Sequence, residues 1–183
     1  EKLTNLFGIY SATCTFDPLT GVNAYRNIHR LGMEVVEYRA AHYGEFGGLL
    51  NRTDIPCDRF LLSWDLRKEV ERPVYDLKAL VDAGCSIIHA EEEEIKGRSG
   101  KVRLEVVKRV NLELNREFLL VEIPFDFYLM LSETDIALNR IRRIPLEWRM
   151  ATRKAFLGLF EKGYKVIDFR HFSQEKRQRD FYV

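Results

Sequence analysis

Residues 9–16, IYSATCTF, alternate loosely between apolar and polar positions and are rich in β-branched and aromatic side chains, which predicts a strand. Pro18 has no backbone N–H and pushes Asp17 towards an extended conformation, so the strand ends there. Val22, Tyr25, Ile28 and Leu31 then recur at every third position. They predict the buried stripe of a short helix that opens near Asn23 and closes on Gly32, a natural left-handed cap. MEVVEYRAAHY (33–43) and DRFLLSWDL (58–66) read as a second and third strand, joined by the glycine-bearing loop GEFGGLLNRTDIP. Ahead of all this, EKLTNLFG has the pattern of a helix tail stopped by Gly8, which predicts that the chain is a piece of something longer.

Residues 67–80 are charged, carry Pro73 and read as a linker into a short helix. CSIIHAEEEEI and KVRLEVVKRVNLEL predict two strands across the turn KGRSGK, with a helix as the alternative for the second. FLLVEIP (118–124) is a strand, and residues 125–138 are helical. Pro145 marks a break before LEWRMATRKAFLGLFEKGY (146–164), the strongest helical pattern in the chain, with Trp148, Ala151, Ala155 and Leu159 on one face. KVIDFRHF and RDFYV close the chain as a hairpin over SQEKRQ. A pattern repeats: helix, Leu31-Gly32, strand EVVEYR, loop, strand, and later helix, Lys162-Gly163, strand KVIDFR, loop, strand. It predicts two α/β units of similar build, one ending near Leu66 and the other starting near Lys101. The domain reading is therefore 1–66, a connecting segment over 67–100, and a C-terminal α/β unit over 101–183.

The charge balance narrows the function. Lys and Arg total 29 against 28 Asp and Glu, which gives neither a nucleic-acid footprint nor a general attraction to anionic membranes. Cys14, Cys57 and Cys85 are odd in number and far apart, so they form neither a zinc spacing nor a disulfide framework. With no signal-peptide pattern and no apolar run near the ~18 residues of a membrane helix, they predict a reducing, cytoplasmic setting.

The phosphate loop of nucleotide-binding proteins, the dinucleotide fingerprint, the zinc-protease helix and the nucleophile elbow are all missing. GRSG at 97–100 lies between strands with no helix after it, so it is not a phosphate cradle. Glu91 to Glu94 point alternately to opposite faces of a strand and read as a solvated edge. No metal ligand set is predicted from His29, His42, His89 and His171. Two places carry chemistry. The strand end AAHYGE brings His42, Tyr43 and Glu45 to a glycine loop, where His42 or Glu45 can act as a general base and Tyr43 as an acid, against the competing reading of a purely structural strand end. The start of the first helix offers free N–H groups, and Asn23 and Asn27, four apart with Arg26 nearby, can hydrogen-bond an amide-rich ligand arm. The competing reading makes Thr20 or Asn23 a simple helix cap.

TFDPLTGVNAYRNIHRLG, EYRAAHYGE and DRFLLSWDL, followed by LLVEIPFDF, EWRMATRKAFLGLFEKGYKVIDF and RDFYV, resemble in order and spacing the C-terminal portion of a bacterial group of GNAT-like acyltransferases. The resemblance is weakest over residues 70–117. It implies an α/β fold, a mixed twisted sheet flanked by helices, without the N-terminal half of the GNAT core and with a C-terminal α/β extension. Such a fold binds acyl-coenzyme A where two central strands splay apart and passes the acyl group to an amine, with acetyl-CoA or succinyl-CoA as donor and an amino acid as one acceptor. On this mapping residues 9–16 are the second splayed strand, and Asn23, Arg26 and Asn27 flank the cofactor's pantetheine arm. Tyr43 and Glu45 serve the acceptor side. Two departures stand out: the Arg/Gln-x-x-Gly-x-Gly/Ala pyrophosphate loop is nowhere in the chain, and Ile28 stands where the family's usual tyrosine acid would be. The alternative they favour is a non-catalytic GNAT-like module that binds a partner or forms a homo-oligomer through exposed sheet edges.

Overall fold

The structure, a computed structural model, describes residues 7–43, 52–174 and 177–183. β1 (Ser11–Phe16) leads into helix α1, which is α-helical over Gly21–Ala24 and π-helical over Tyr25–Arg30. β2 (Glu34–Arg39) and β3 (Arg59–Asp65) follow. β3 lies between β1 and β2 and runs antiparallel to both. Next come α2 (Leu77–Asp82), the long hairpin of β4 (Ile88–Lys96) and β5 (Lys101–Val110), and the short β6 (Val121–Ile123). Helices α3 (Phe127–Glu133), α4 (Asn139–Arg142) and α5 (Ile144–Glu161) precede a closing hairpin of β7 (Phe169–Gln174) and β8 (Arg177–Tyr182).

The third sheet repeats the first: β8 lies between β6 and β7, antiparallel to both. In each unit a strand leads through helix to a glycine in the left-handed region, Gly32 at φ +64° or Gly163 at φ +87°, and the last strand inserts between the first two. The repeated helix–glycine–strand pattern of the sequence thus corresponds to a repeated topology. Hairpin β4–β5 spans Gly100, so residues on both sides of the 100/101 division share one ladder. Among the described residues no helix is long and apolar enough to cross a membrane.

Several local expectations change. Helix α1 starts at Gly21, not near Asn23, with Thr20 as its N-cap residue. Its buried ridge is Gly21, Ala24 and Ile28, spaced three and then four apart, while Val22 is 80% exposed. Ile28 is buried and Tyr25 and Leu31 pack against the core as the period predicts, so Val22 alone departs from the stripe; the wider π turn that follows shows in the bond from Leu31 N–H to the Arg26 carbonyl at 3.1 Å. Pro145 sits in the first turn of α5 and does not break it, because its missing N–H would be unpaired there in any case. β5 is a strand, since nine pairings to β4 satisfy it in that form. The last hairpin starts later than expected: residues 165–168 touch the chain end through Ile167 and Asp168 to Val183, and the ladder begins at Phe169.

One core serves all three sheets, and α5 is the element they share. Trp148, Ala151, Ala155, Phe156 and Leu159 are buried along it. Phe156 meets Phe60 of β3 at 4.7 Å and Tyr182 of β8 at 5.1 Å between ring centroids, and Trp148 donates to the Glu105 carbonyl of β5 at 2.8 Å. The same helix carries two arginines one turn apart. Arg149 is fully buried and donates from Nη1 and Nη2 to the two oxygens of Asp17 at 2.8 and 2.5 Å. Arg153 donates to both oxygens of buried Asp58 at 2.9 and 2.6 Å, and Asp58 also accepts from the Tyr38 hydroxyl at 2.6 Å. Burial alone would lower the pKa of Arg149, but the Asp17 carboxylate holds it above the usual value. Removing one partner of such a buried pair strands the other charge, so Asp17→Ala and Arg149→Met should each cost about 3–5 kcal/mol in urea unfolding. The double change Asp17→Leu with Arg149→Met should recover most of that loss, and equal midpoints for all variants would show that the pair contributes nothing.

Candidate functional site

The first sheet has two unlike faces, because side chains alternate along each strand. Phe16, Phe60, Leu62 and Tyr38 point into the core against α5. In the same register, Ser11, Thr13 and Thr15 of β1 share the other face with Asp65, Ser63 and Leu61 of β3, and Ser11 and Thr13 are exposed. On β1 this open face is hydroxyl-lined, and across β3 it continues to the charged side chains of Arg59, Glu37 and Arg39. β1 is also an edge strand, and its outer backbone groups have no ladder partner among the described residues.

At the C-terminal end of β1 the open face meets Tyr43. Its hydroxyl lies 3.2 Å from Thr15 Oγ1, its ring packs on His42 at 4.6 Å, and the Arg59 guanidinium stands 5.6 Å from its centre. Arg59 itself donates from Nη2 to the Thr15 carbonyl at 3.0 Å, while its buried Nε meets no acceptor among the described residues. The chain reaches Tyr43 through Ala41, held at φ +48° by an N–H bond to Asp58 at 2.8 Å. Glu45, expected to work with Tyr43, lies outside the described residues.

On α1, Asn23 and Asn27 lie one position before Ala24 and Ile28, and Tyr25 and His29 one position after them. The two pairs therefore flank the buried ridge on opposite sides. Asn23 spends one amide N–H on Thr20 Oγ1 at 3.2 Å, whereas the side chains of Asn27 and exposed Arg26 have no partner among the described residues. Thr20 does not cap the helix through its side chain, which instead donates to the Asp17 carbonyl at 2.7 Å. Buried Asp180 packs against Gly21: its Oδ2 lies 2.1 Å from where a Cβ would sit, so only glycine permits that approach. Ile28 is 5% exposed and part of the core.

The opposite flank of α1 holds a cluster that the sequence did not reveal. His29 Nδ1 lies 2.8 Å from Asp168, which also accepts from the Tyr75 hydroxyl at 2.6 Å. His171 Nδ1 lies 2.7 Å from Asp180, and the Tyr25 ring packs on both histidines at 4.7 Å. In each pair the carboxylate accepts from the Nδ1–H of the imidazole. Burial first, and then Asp168, push the Tyr75 hydroxyl above its ordinary pKa. Mechanically the cluster pins β7 and β8 to α1. His29 and Asp168 are 139 residues apart, and no sequence spacing signals the pair.

GRSG proves to be a docking turn, with Ser99 bonded to Glu133 from its N–H at 3.0 Å and its hydroxyl at 2.7 Å. Glu93 and Glu94 pair with Lys108 and Lys101 across the hairpin. Among the described residues, no group of three or more His, Cys, Asp and Glu side chains converges as a metal site. Two cavities lie away from Tyr43 and α1. One, of about 280 Å³, is walled by Phe156, Phe160, Tyr164 and Tyr182. The other, of about 370 Å³, is lined by Glu92, Arg103, Glu105, Asp126 and Gln178. No protein-family model, no curated protein and no solved structure matches this chain.

Burial raises the pKa of Glu105, and backbone N–H groups oppose the shift only in part. A carboxyl whose pKa is higher folded than unfolded binds protons more tightly in the native state, so stability falls as pH rises through that interval. Glu105→Gln should therefore raise the urea midpoint at pH 7 and lose that advantage at pH 4, where the native carboxyl is already neutral. The same gain at both pH values would refute the assignment.

Proposed function

We propose that this chain is part of a GNAT-type N-acyltransferase that moves an acetyl or succinyl group from its coenzyme A thioester to an amine such as an amino acid. The observation that supports the reading is the placement of β1. It carries an open, hydroxyl-lined face, its outer edge is unpaired among the described residues, and it runs directly into α1. The resemblance makes a strand followed by this helix the second of the two splayed strands.

The residues on α1 fit an amide-bearing pantetheine arm. Asn27 and the second N–H of Asn23 offer donors and acceptors, and Arg26 offers a cation to phosphate oxygens. The bound thioester supplies an activated acyl carbon. The protein's part is to hold that carbon against the amine in attacking geometry and to move protons. Glu45 takes one proton from the substrate's ammonium, and the free amine so formed attacks the acyl carbon as the C–S bond breaks; the second proton shed by that nitrogen restores the Tyr43 hydroxyl. Tyr43, whose hydroxyl faces the edge strand beside Thr15, replaces the buried Ile28 as the donor to the departing thiolate.

Titration calorimetry of the polypeptide with acetyl-CoA and succinyl-CoA tests this reading. At least one thioester should bind, and Asn27→Ala should weaken it by about 10-fold, the effect of one hydrogen bond of about 1–1.5 kcal/mol. If neither binds, the non-catalytic module is the better reading. Glu45→Gln and Tyr43→Phe should each slow turnover by about 10²-fold or more, and unchanged kinetics would remove that residue from the site.

A further inference from the structure

Arg59 differs from the other arginines of the interior. Arg149 holds Asp17, Arg153 holds Asp58, Arg52 holds Asp54, and Arg177 and Arg179 share Glu122. Arg59 forms no ion pair among the described residues, and the residue opposite it on β2 is another arginine, Arg39. Arg59 Nη2 donates to the Thr15 carbonyl, and the Cys57 thiol lies beside the guanidinium. A guanidinium has five N–H donors, so several remain; the buried Nε meets no acceptor among the described residues, as is also true of Arg149 and Arg177, but those two have carboxylate partners. Asp17, at the adjoining end of β1, cannot satisfy Arg59, because Arg149 occupies both of its oxygens.

The surroundings hold this cation in place without neutralising it. Register places Arg59 on the same face as Leu61 and Thr15, the open face of the sheet, while Phe60 beside it turns into the core. The Thr15 carbonyl orients the fork from one side, and the Tyr43 ring supports it from another. A half-buried, pre-oriented guanidinium with spare donors is suited to one ligand chemistry above others, the two-oxygen edge of a carboxylate.

Resting on the acyltransferase reading, we infer that Arg59 is the residue that selects carboxylate-bearing substrates at the transfer site. The carboxylate is either the free end of a dicarboxylic acyl donor or the α-carboxylate of an amino-acid acceptor. Arg59 binds and orients; it takes no part in the proton or acyl movement.

The test compares ratios in the wild type, Arg59→Gln and Arg59→Lys, each first shown by thermal unfolding to be folded. One ratio is kcat/KM for succinyl-CoA over acetyl-CoA. The other is kcat/KM for an amino acid over its carboxamide. Loss of a bidentate charged contact should lower one ratio by about 10–100-fold in Arg59→Gln. Arg59→Lys, which keeps the charge without the fork, should lower it by a smaller factor. A fall in the first ratio places the carboxylate on the donor, and a fall in the second places it on the acceptor. If both ratios stay at their wild-type values in both variants, Arg59 is not the selector, although the acyltransferase reading survives. If the wild type neither binds nor uses either thioester, that reading and this inference fail together.

Discussion

A fully buried guanidinium organises this fold. Arg149 lies at the centre of α5 with no solvent contact, and Asp17, at the end of β1, is its counter-charge. An unpaired buried charge would cost several kcal/mol, so the strand end and the helix have to meet in one register. Once they meet, Arg153 is carried to Asp58 one turn later, and Asp58 in turn fixes Tyr38 and the backbone at Ala41. The pair thus links the exit of β1, the exit of β2 and the entry to β3. The open face lies on the far side of these three strand ends. Its geometry is set from behind, by a helix that contributes nothing to its surface.

The second unit reinforces the first from another direction. Tyr182, near the end of β8, donates to the Pro18 carbonyl at 2.8 Å, and Asp180 of the same strand packs against Gly21. The segment TFDPLTG is therefore held by Arg149 at Asp17, by Tyr182 at Pro18 and by Asp180 at Gly21. This joint between strand and helix is a structural hub. The proposed ligand-facing groups lie on its two sides, the Asn23–Asn27 flank of α1 and the Tyr43–Arg59 end of the open face. Two sheets of the same topology sharing one long helix also explain why residues so distant in sequence form single clusters. The His29–Asp168 and His171–Asp180 pairs both fall at the seam where β7 and β8 pack on α1.

Much of the architecture was legible because it rests on short-range physics. Alternation marked β1, β3 and β6, and the four-residue stripe of Trp148, Ala151, Ala155 and Leu159 marked the buried face of α5. The glycines at 32 and 163 marked two helix ends, and both adopt the left-handed conformation that a side chain disfavours. Errors arose where two local patterns competed. In α1, Tyr25, Ile28 and Leu31 of the predicted stripe meet the core, but at the first turn the buried positions are Gly21 and Ala24 and Val22 is exposed. At KVIDFR, strand-like alternation preceded the true ladder, since the partner strand β8 ends opposite Phe169. In the candidate site, Asn23, Arg26, Asn27 and Tyr43 could be picked as residue types at strand ends and helix starts. Arg59 could not, because nothing in DRF separates a paired arginine from an unpaired one.

The sequence by itself determined the order of elements, their approximate lengths, the apolar face of the main helix and the repeated unit. Each depends on propensities and periodicities that act within a few turns or a few strand residues. Tertiary structure decided which charges are paired, which carboxylate packs against Gly21, and which face of the first sheet stays open. Those outcomes depend on partners 132 residues apart for Asp17 and Arg149, and 139 apart for His29 and Asp168. A carboxylate and a guanidinium in a sequence carry no label of their partner. Only the burial of both in one core, where an unmatched charge costs more than the fold can lose, makes the pairing unique.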